Sequence, residues 1–125
     1  RADPVADRDH PLEPVTEPIA DVAGVDEAKQ DLQEIVRYIS FDNPNRAESF
    51  GRELIGKTRL LASFPEMGRV VPEINDPSIR EIIHHTYRIV YRVRQPERRI
   101  EVSRFWHAAR GTPKPLILHG NQSHL

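Results

Sequence analysis

The sequence predicts an α+β domain, with an N-terminal αα-hairpin packed on a small antiparallel β-sheet of three to four strands. Three observations carry that expectation. Apolar residues recur every three to four positions through 26–40 and again through 44–64. Pro44 and Pro65 punctuate those stretches. Beyond Pro65 the period changes to two, most clearly in Tyr87–Arg94.

In chain order, residues 1–18 hold Pro4, Pro11, Pro14 and Pro18, several carboxylates and few large apolar groups. Such a segment buries too little to offset its ordering entropy, and it reads as a disordered or extended acidic arm. A single domain is expected over 19–111. Residues 19–25, IADVAGV, are a candidate short strand, with poor alternation and Gly24 weakening it. Asp26 is the expected N-cap of a helix running to about Ser40, with Ala28, Leu32, Ile35, Val36 and Ile39 in one stripe. Asn43 then caps a second helix with Pro44 in its first turn, and its stripe is Ala47, Phe50, Leu54, Thr58, Leu61 and Phe64. Gly51 and Gly56 each cost that helix about 1 kcal/mol against alanine, so close packing is expected at both. So short a connection folds the two helices back on each other.

FPEMGRVVPEINDP reads as a loop with Gly68 at a turn. Strands are expected at Ile79–His85, Tyr87–Arg94 and Ile100–Trp106, with a hairpin connection at Gln95–Arg98. In the second of these, Tyr87, Ile89, Tyr91 and Val93 share the face covered by helices, and Arg88, Val90, Arg92 and Arg94 share the open one. Ile100, Val102 and Trp106 are expected on one side of the last strand. Residues 112–125 read as a C-terminal tail.

The totals are consistent with this plan. One domain fits 125 residues. Cysteine is absent, which removes disulfides and thiolate metal sites and is compatible with a cytoplasmic setting. No stretch approaches the roughly 18 apolar residues of a membrane span, and no membrane role is expected. The net charge of −1 hides an asymmetry: residues 1–34 carry −7, and residues 35–125 carry +6. Either an acidic partner meets the basic part, or the acidic segment neutralises it within the chain.

Nine basic and three acidic residues lie between Arg80 and Lys114. A sheet face lined by guanidinium groups suits phosphate or carboxylate recognition, because the planar fork donates two parallel hydrogen bonds. Arg80, Arg88, Arg92, Arg94, Arg104 and Arg110 are the candidate target- or phosphate-binding residues, unless the cluster is simply a solvated face. His107 is a candidate acid or base for phosphodiester chemistry, with Arg88 stabilising developing charge, or else a structural histidine. Glu66 and Glu73 flank Gly68 and are alternative bases if that loop folds over the arginines. His84 and His85 are adjacent in a strand and are expected to point to opposite faces, a poor metal pair. No metal-ligand spacing, phosphate-binding glycine loop or nucleotide fingerprint occurs, so neither metal nor cofactor is expected.

The succession AKQDLQEIVRYISFDNP, RAESFGRELIGKTRLLASFPEMGRVVPE, IREIIHHTYRIVYRV and IEVSRFWHAARG resembles a RelE/ParE-superfamily toxin of a type II toxin–antitoxin module over about Ala28 to Gly111. The resemblance implies a small antiparallel sheet on an αα-hairpin, with a first strand ahead of the hairpin. The place of that strand is held here by VAGVDEA, without the usual Trp-Ser-type ending.

Function within the superfamily divides. RelE- and YoeB-like members cleave mRNA on the ribosome with arginines, often a lysine pair, and a late tyrosine or histidine. ParE-like members poison DNA gyrase. Arg88 matches the arginine of the Tyr-Arg-x-x-Tyr strand, His107 falls where YoeB-like members place a histidine, and Arg80 falls near a RelE lysine. The late tyrosine is missing, and Ile82 or Glu81 replaces the second basic residue. The resemblance therefore implies a ParE-like gyrase toxin. The alternatives are a ribosome-dependent endoribonuclease using Arg88 and His107, or an inert antitoxin-binding or co-repressor module. Each implies a cognate antitoxin partner, with a heterotetramer among the assemblies, and no cofactor.

Overall fold

The computed structural model describes residues 14, 15 and 17–110. The expected tail at 112–125 and most of the expected arm at 1–18 lie outside the described residues. Strand β1 (Asp21–Gly24) leads into helix α1 (Asp26–Ser40), a short turn and helix α2 (Pro44–Leu60). Strands β2 (Arg69–Val70), β3 (Ile79–His84), β4 (Tyr87–Arg94) and β5 (Arg99–His107) follow, and a single 3-10 turn covers Ala108–Arg110.

Both helices form where the apolar spacing places them. Their N-termini differ. Asn43 accepts a hydrogen bond from the Arg46 amide at 3.0 Å, with Pro44 in the first turn. Asp26 does not cap α1. The capping position is Val25, and Asp26 and Glu27 lie inside the first turn. There their carboxylates face the partial positive charge of the helix end, so acidic residues still favour this start.

The strands make one sheet in the order β1-β5-β4-β3-β2. The sequence expectation of three to four antiparallel strands is low by one or two, and the sheet is mixed. β1 runs parallel to β5, from Asp21 opposite Arg99 to Gly24 opposite Val102. β2 is a two-residue pairing of Arg69 and Val70 with Glu81 and Arg80. β1 falls within the short strand suggested at 19–25, whereas β2 is too short for alternation to register; both form because the longer strands offer unpaired backbone at their edges.

The helix hairpin covers one face. Ala28, Ile35, Phe50 and Leu54 pack on Ile82, Ile89, Tyr91, Val93, Ile100, Val102 and Phe105. Gly51 lets the helices approach, since a β-carbon there would stand 3.0 Å from Val36. Gly56 has no such role, because nothing lies within 4 Å of its β-carbon position. The opposite face is not fully open. Val71, Ile79 and Val90 form a second small core with Ile74, so the segment between β2 and β3 folds over part of it.

The β4–β5 ladder is interrupted between Val90 and Tyr91. Val90 faces Arg104 and Tyr91 faces Val102, which leaves Ser103 as the extra residue of a bulge. The bulge reverses the facing of everything after it. Trp106 therefore lies on the face opposite Ile100 and Val102, not beside them, and Phe105 takes the core position.

N-terminal residues fasten to this frame. The Val15 and Ile19 amides donate to the Ser63 and Ala62 carbonyls at 2.8 Å each, and Ile19 is buried. Among the described residues, no helix is long and apolar enough to cross a membrane.

Candidate functional site

Register decides which candidate residues share a surface. Directly opposed residues of an antiparallel pair lie on the same face. Arg88 stands between Ile83 and Trp106, and Tyr87 stands between His84 and His107. Arg88 is thus on the face away from the helices, and His107 is on the helix side.

Arg88 is the centre of a buried charge network. It is 6% exposed, and Glu81 is 1% exposed. The Arg88 Nε donates to Glu81, and its two terminal nitrogens donate to Glu73 at 3.1 and 3.2 Å. Arg69 reaches the other Glu81 oxygen at 2.7 Å. Burial alone would lower the Arg88 pKa, but hydrogen bonds to Glu73 and Glu81 outweigh it and hold the value above the ordinary one. Glu73, a candidate loop base from the sequence, is here a partner of Arg88.

The remaining arginines are also engaged. Arg80 donates to the Gly68 carbonyl at 2.8 Å and ties the 65–68 loop to β3. Arg92 meets Ser78 at 3.3 Å and Asp76 at 3.9 Å. Arg94 pairs with Glu101 at 3.0 Å. Arg104 donates to both oxygens of Asp31 of α1 through Nε and Nη2, at 2.6 and 2.7 Å. The same carboxylate accepts the Phe105 amide, so Asp31 closes the edge of β5 just past its pairing with β1. Arg104 and Arg110 both lie over the Trp106 ring, at 4.7 and 4.0 Å from its centroid. Arg80, Arg88, Arg92, Arg94 and Arg104 therefore already hold polar partners within the chain, and Arg110 rests on the Trp106 ring.

The charge split within the chain has a matching physical outcome. Arg98 donates to the Glu17 carbonyl, Arg99 to Asp21 and Arg104 to Asp31. Among the described residues, Arg98, Arg99 and Arg104 thus meet the acidic first third, while Arg88, Arg92 and Arg94 pair with carboxylates of the later part of the chain.

A second cluster lies at the turn end of the sheet on the helix side. His107 packs edge-on against Tyr87, with centroids 5.1 Å apart, and its Nδ1 accepts the Ala109 amide at 3.1 Å. Phe50 of α2 contacts Tyr87, His84 and His85. His84 and His85 do not diverge as expected for neighbours in a strand. His85 adopts φ 56° in the turn before β4, which brings the two rings to 4.5 Å. Glu53 of α2 faces both, and Arg46 holds its second oxygen at 2.7 Å. The Glu53 carboxyl is lowered to about 2, first by the hydrogen bond from Arg46 and then by that from His84. Sequence spacing alone did not reveal this grouping, since it depends on a left-handed residue and on a helix 31 positions away.

Solved structures share this architecture. One, of a chromosomal ParDE toxin–antitoxin system from P. aeruginosa, superposes with a TM-score of 0.60 at 16% identity, covering 71% of this chain and 96% of that one. Another, the RelBE2 toxin–antitoxin complex from Mycobacterium tuberculosis, gives 0.52 at 16% identity, covering 76% and 97%. Comparison with curated protein sequences finds no match. The fold is thus of the RelE/ParE class. Residues 25–111 match the family of ParE toxins of the type II toxin–antitoxin system parDE, and the chain belongs to that family.

Proposed function

We propose that this toxin inhibits growth by acting on DNA gyrase in the ParE manner, in the cytoplasm, and is held inactive by a cognate antitoxin. The observation that carries the choice of target is the placement of Arg88 and His107 on opposite sheet faces. Ribonucleolytic chemistry needs a charge stabiliser and a proton-transfer group within reach of one phosphodiester. Here one is buried between two carboxylates, and the other is packed on Tyr87. The lysine pair and late tyrosine of the ribonuclease-type relatives are also missing from the sequence.

The antitoxin partner is supported by family membership and by apolar surface left exposed. Tyr38 and Phe41, at the tip of the helix hairpin, are 74% and 77% exposed. Large exposed aromatic groups are suited to cover by a partner segment that orders on binding.

The test uses purified full-length protein in two parallel reactions, gyrase supercoiling and coupled translation of a defined mRNA. Inhibition of supercoiling at micromolar protein with an intact transcript is expected. Codon-phased mRNA cleavage with untouched supercoiling overturns the reading in favour of the endoribonuclease. Inertness in both favours the co-repressor role.

A further inference from the structure

The turn between β3 and β4 places two imidazoles and one carboxylate around a common point. Side chains of consecutive strand residues leave the backbone in opposite directions. His85 escapes that rule because its φ of 56° swings it back beside His84. The His84 Nε2 lies 2.9 Å, and the His85 Nε2 3.8 Å, from the same Glu53 Oε1. All three candidate ligand atoms lie within 4.8 Å of one another.

Three features pre-organise the group. Arg46 binds the far oxygen of Glu53 and fixes the carboxylate's rotation, leaving Oε1 turned to the imidazoles. A donor behind a ligand carboxylate is the usual outer-shell arrangement of a metal centre. Phe50 lies against both imidazoles, with centroids 5.6 and 5.8 Å away, and limits their swing. Glu53 stands on α2, and the two histidines stand on a tight turn between paired strands, so the backbone on both sides is fixed.

Two imidazole nitrogens with one carboxylate oxygen suit borderline divalent transition ions rather than calcium or magnesium, which prefer all-oxygen surroundings. Bonds of about 2.0–2.1 Å to a tetrahedral ion set neighbouring donors roughly 3.3 Å apart. The 2.9 and 3.8 Å spacings to Glu53 straddle that separation, and the imidazole donors, within 4.8 Å of each other, close by up to about 1.5 Å through rotation of the exposed His85 side chain. We propose that Glu53, His84 and His85 bind a divalent transition-metal ion of the zinc class, with a further position open to water, cross-linking α2 to the β3–β4 turn. The ion takes over the link that the Glu53–His84 hydrogen bond otherwise makes. Arg46 and Tyr87 are the other titratable groups facing the cluster, and the Arg46 charge opposes binding from behind the carboxylate.

Chelator-stripped, untagged full-length protein is titrated with zinc chloride at pH 7.5, by calorimetry and by thermal unfolding. Saturation at one ion per chain and a rise in the unfolding midpoint are expected. His85→Asn keeps the left-handed turn, which asparagine tolerates, and removes one ligand. It is expected to weaken zinc affinity at least about tenfold. Its zinc-free midpoint stays close to that of the parent, since His85 is largely exposed. His107→Asn, which removes a histidine outside the cluster, leaves affinity within about twofold. Equal zinc affinity in the parent and His85→Asn overturns the proposal, because the ion then sits on other histidines. So does the absence of saturable binding at a hundredfold excess of zinc.

Discussion

Arg88 and His107 stand on adjacent strands, one residue out of register, yet their side chains leave the sheet from opposite faces. The Ser103 bulge is the cause. Uninterrupted pairing beyond Tyr91–Val102 would put odd-numbered β5 residues, His107 among them, on the Arg88 side. The extra residue turns His107 toward Tyr87 and the helices instead. A substrate phosphate at Arg88 is therefore out of reach of the His107 ring. His107→Gln is expected to leave growth inhibition within about twofold of the parent, the size expected of a partly exposed position without a site role. Growth curves after induced expression, at matched protein levels, measure this. Complete loss of inhibition in soluble, folded His107→Gln would restore the histidine to the site.

Arg88 itself is expected to matter for stability. Arg88→Met leaves Glu81 buried with the outer Arg69 to balance it, and removes the two hydrogen bonds that Arg88 gives Glu73. Removing one member of a buried pair typically costs 3–5 kcal/mol, and the remaining Arg69 places this case near about 3 kcal/mol. The double variant Arg88→Met/Glu81→Leu replaces the pair with apolar groups and is expected to recover about half of the loss or more. Urea unfolding of the three proteins decides it. A double variant less stable than the single would show that the charges contribute more than they cost to bury.

Much of this fold was legible because its longer elements follow their periods. The stripes of α1 and α2 gave the buried face correctly, and the alternation of β4 gave the face under the helices, although Arg88 and Val90 on its expected open face are buried too. What stayed hidden came from contacts between segments far apart in sequence. β2 has two residues and depends on an edge supplied by β3; the four-residue β1 lies in the short strand suggested at 19–25, but its parallel pairing with β5 was not legible. The bulge at Ser103 leaves no mark in SRFWH, and Trp106 was consequently placed on the wrong side. The candidate arginines were found by residue type, but type says nothing about partners. Glu81, Glu101 and Asp31 take up Arg88, Arg94 and Arg104 only once the chain is folded. Asp31 in particular reads as the solvent side of a helix until β5 is laid beside it.

The glycines give a paired prediction of opposite sign. A β-carbon at Gly68 would stand 2.5 Å from the Glu81 carbonyl oxygen and 2.8 Å from the Tyr91 hydroxyl. The first is sheet backbone and cannot retreat without breaking the β2–β3 contact, so Gly68→Ala is expected to lose about 3 kcal/mol. Gly56 is helical, exposed and free of neighbours within 4 Å. Gly56→Ala is expected to gain up to about 1 kcal/mol by helix propensity. Denaturant midpoints measure both, and a destabilised Gly56→Ala would point to a contact at that face.

Tyr91 ties the loop before β2 to the centre of the sheet, and its ionisation gives the fold an alkaline limit. Its hydroxyl donates to the Pro65 carbonyl at 2.8 Å and accepts the Gly68 amide at 3.0 Å. Burial raises the phenol pKa above its ordinary value and outweighs the Gly68 amide, which favours the phenolate. The folded chain therefore keeps its proton over a range in which the unfolded chain, titrating near about 10, has lost it. Stability from this difference is intact below about pH 10 and is lost as pH rises through the folded value. Tyr91→Phe leaves the Pro65 carbonyl and Gly68 amide without their partner and is expected to be about 2 kcal/mol less stable at neutral pH. Phenylalanine has no proton to lose, so the gap between the two proteins should narrow as pH climbs above about 10. Urea midpoints for both proteins across that alkaline range measure the gap, and a constant difference would mean that the Tyr91 hydroxyl does not titrate differently in the folded and unfolded chains.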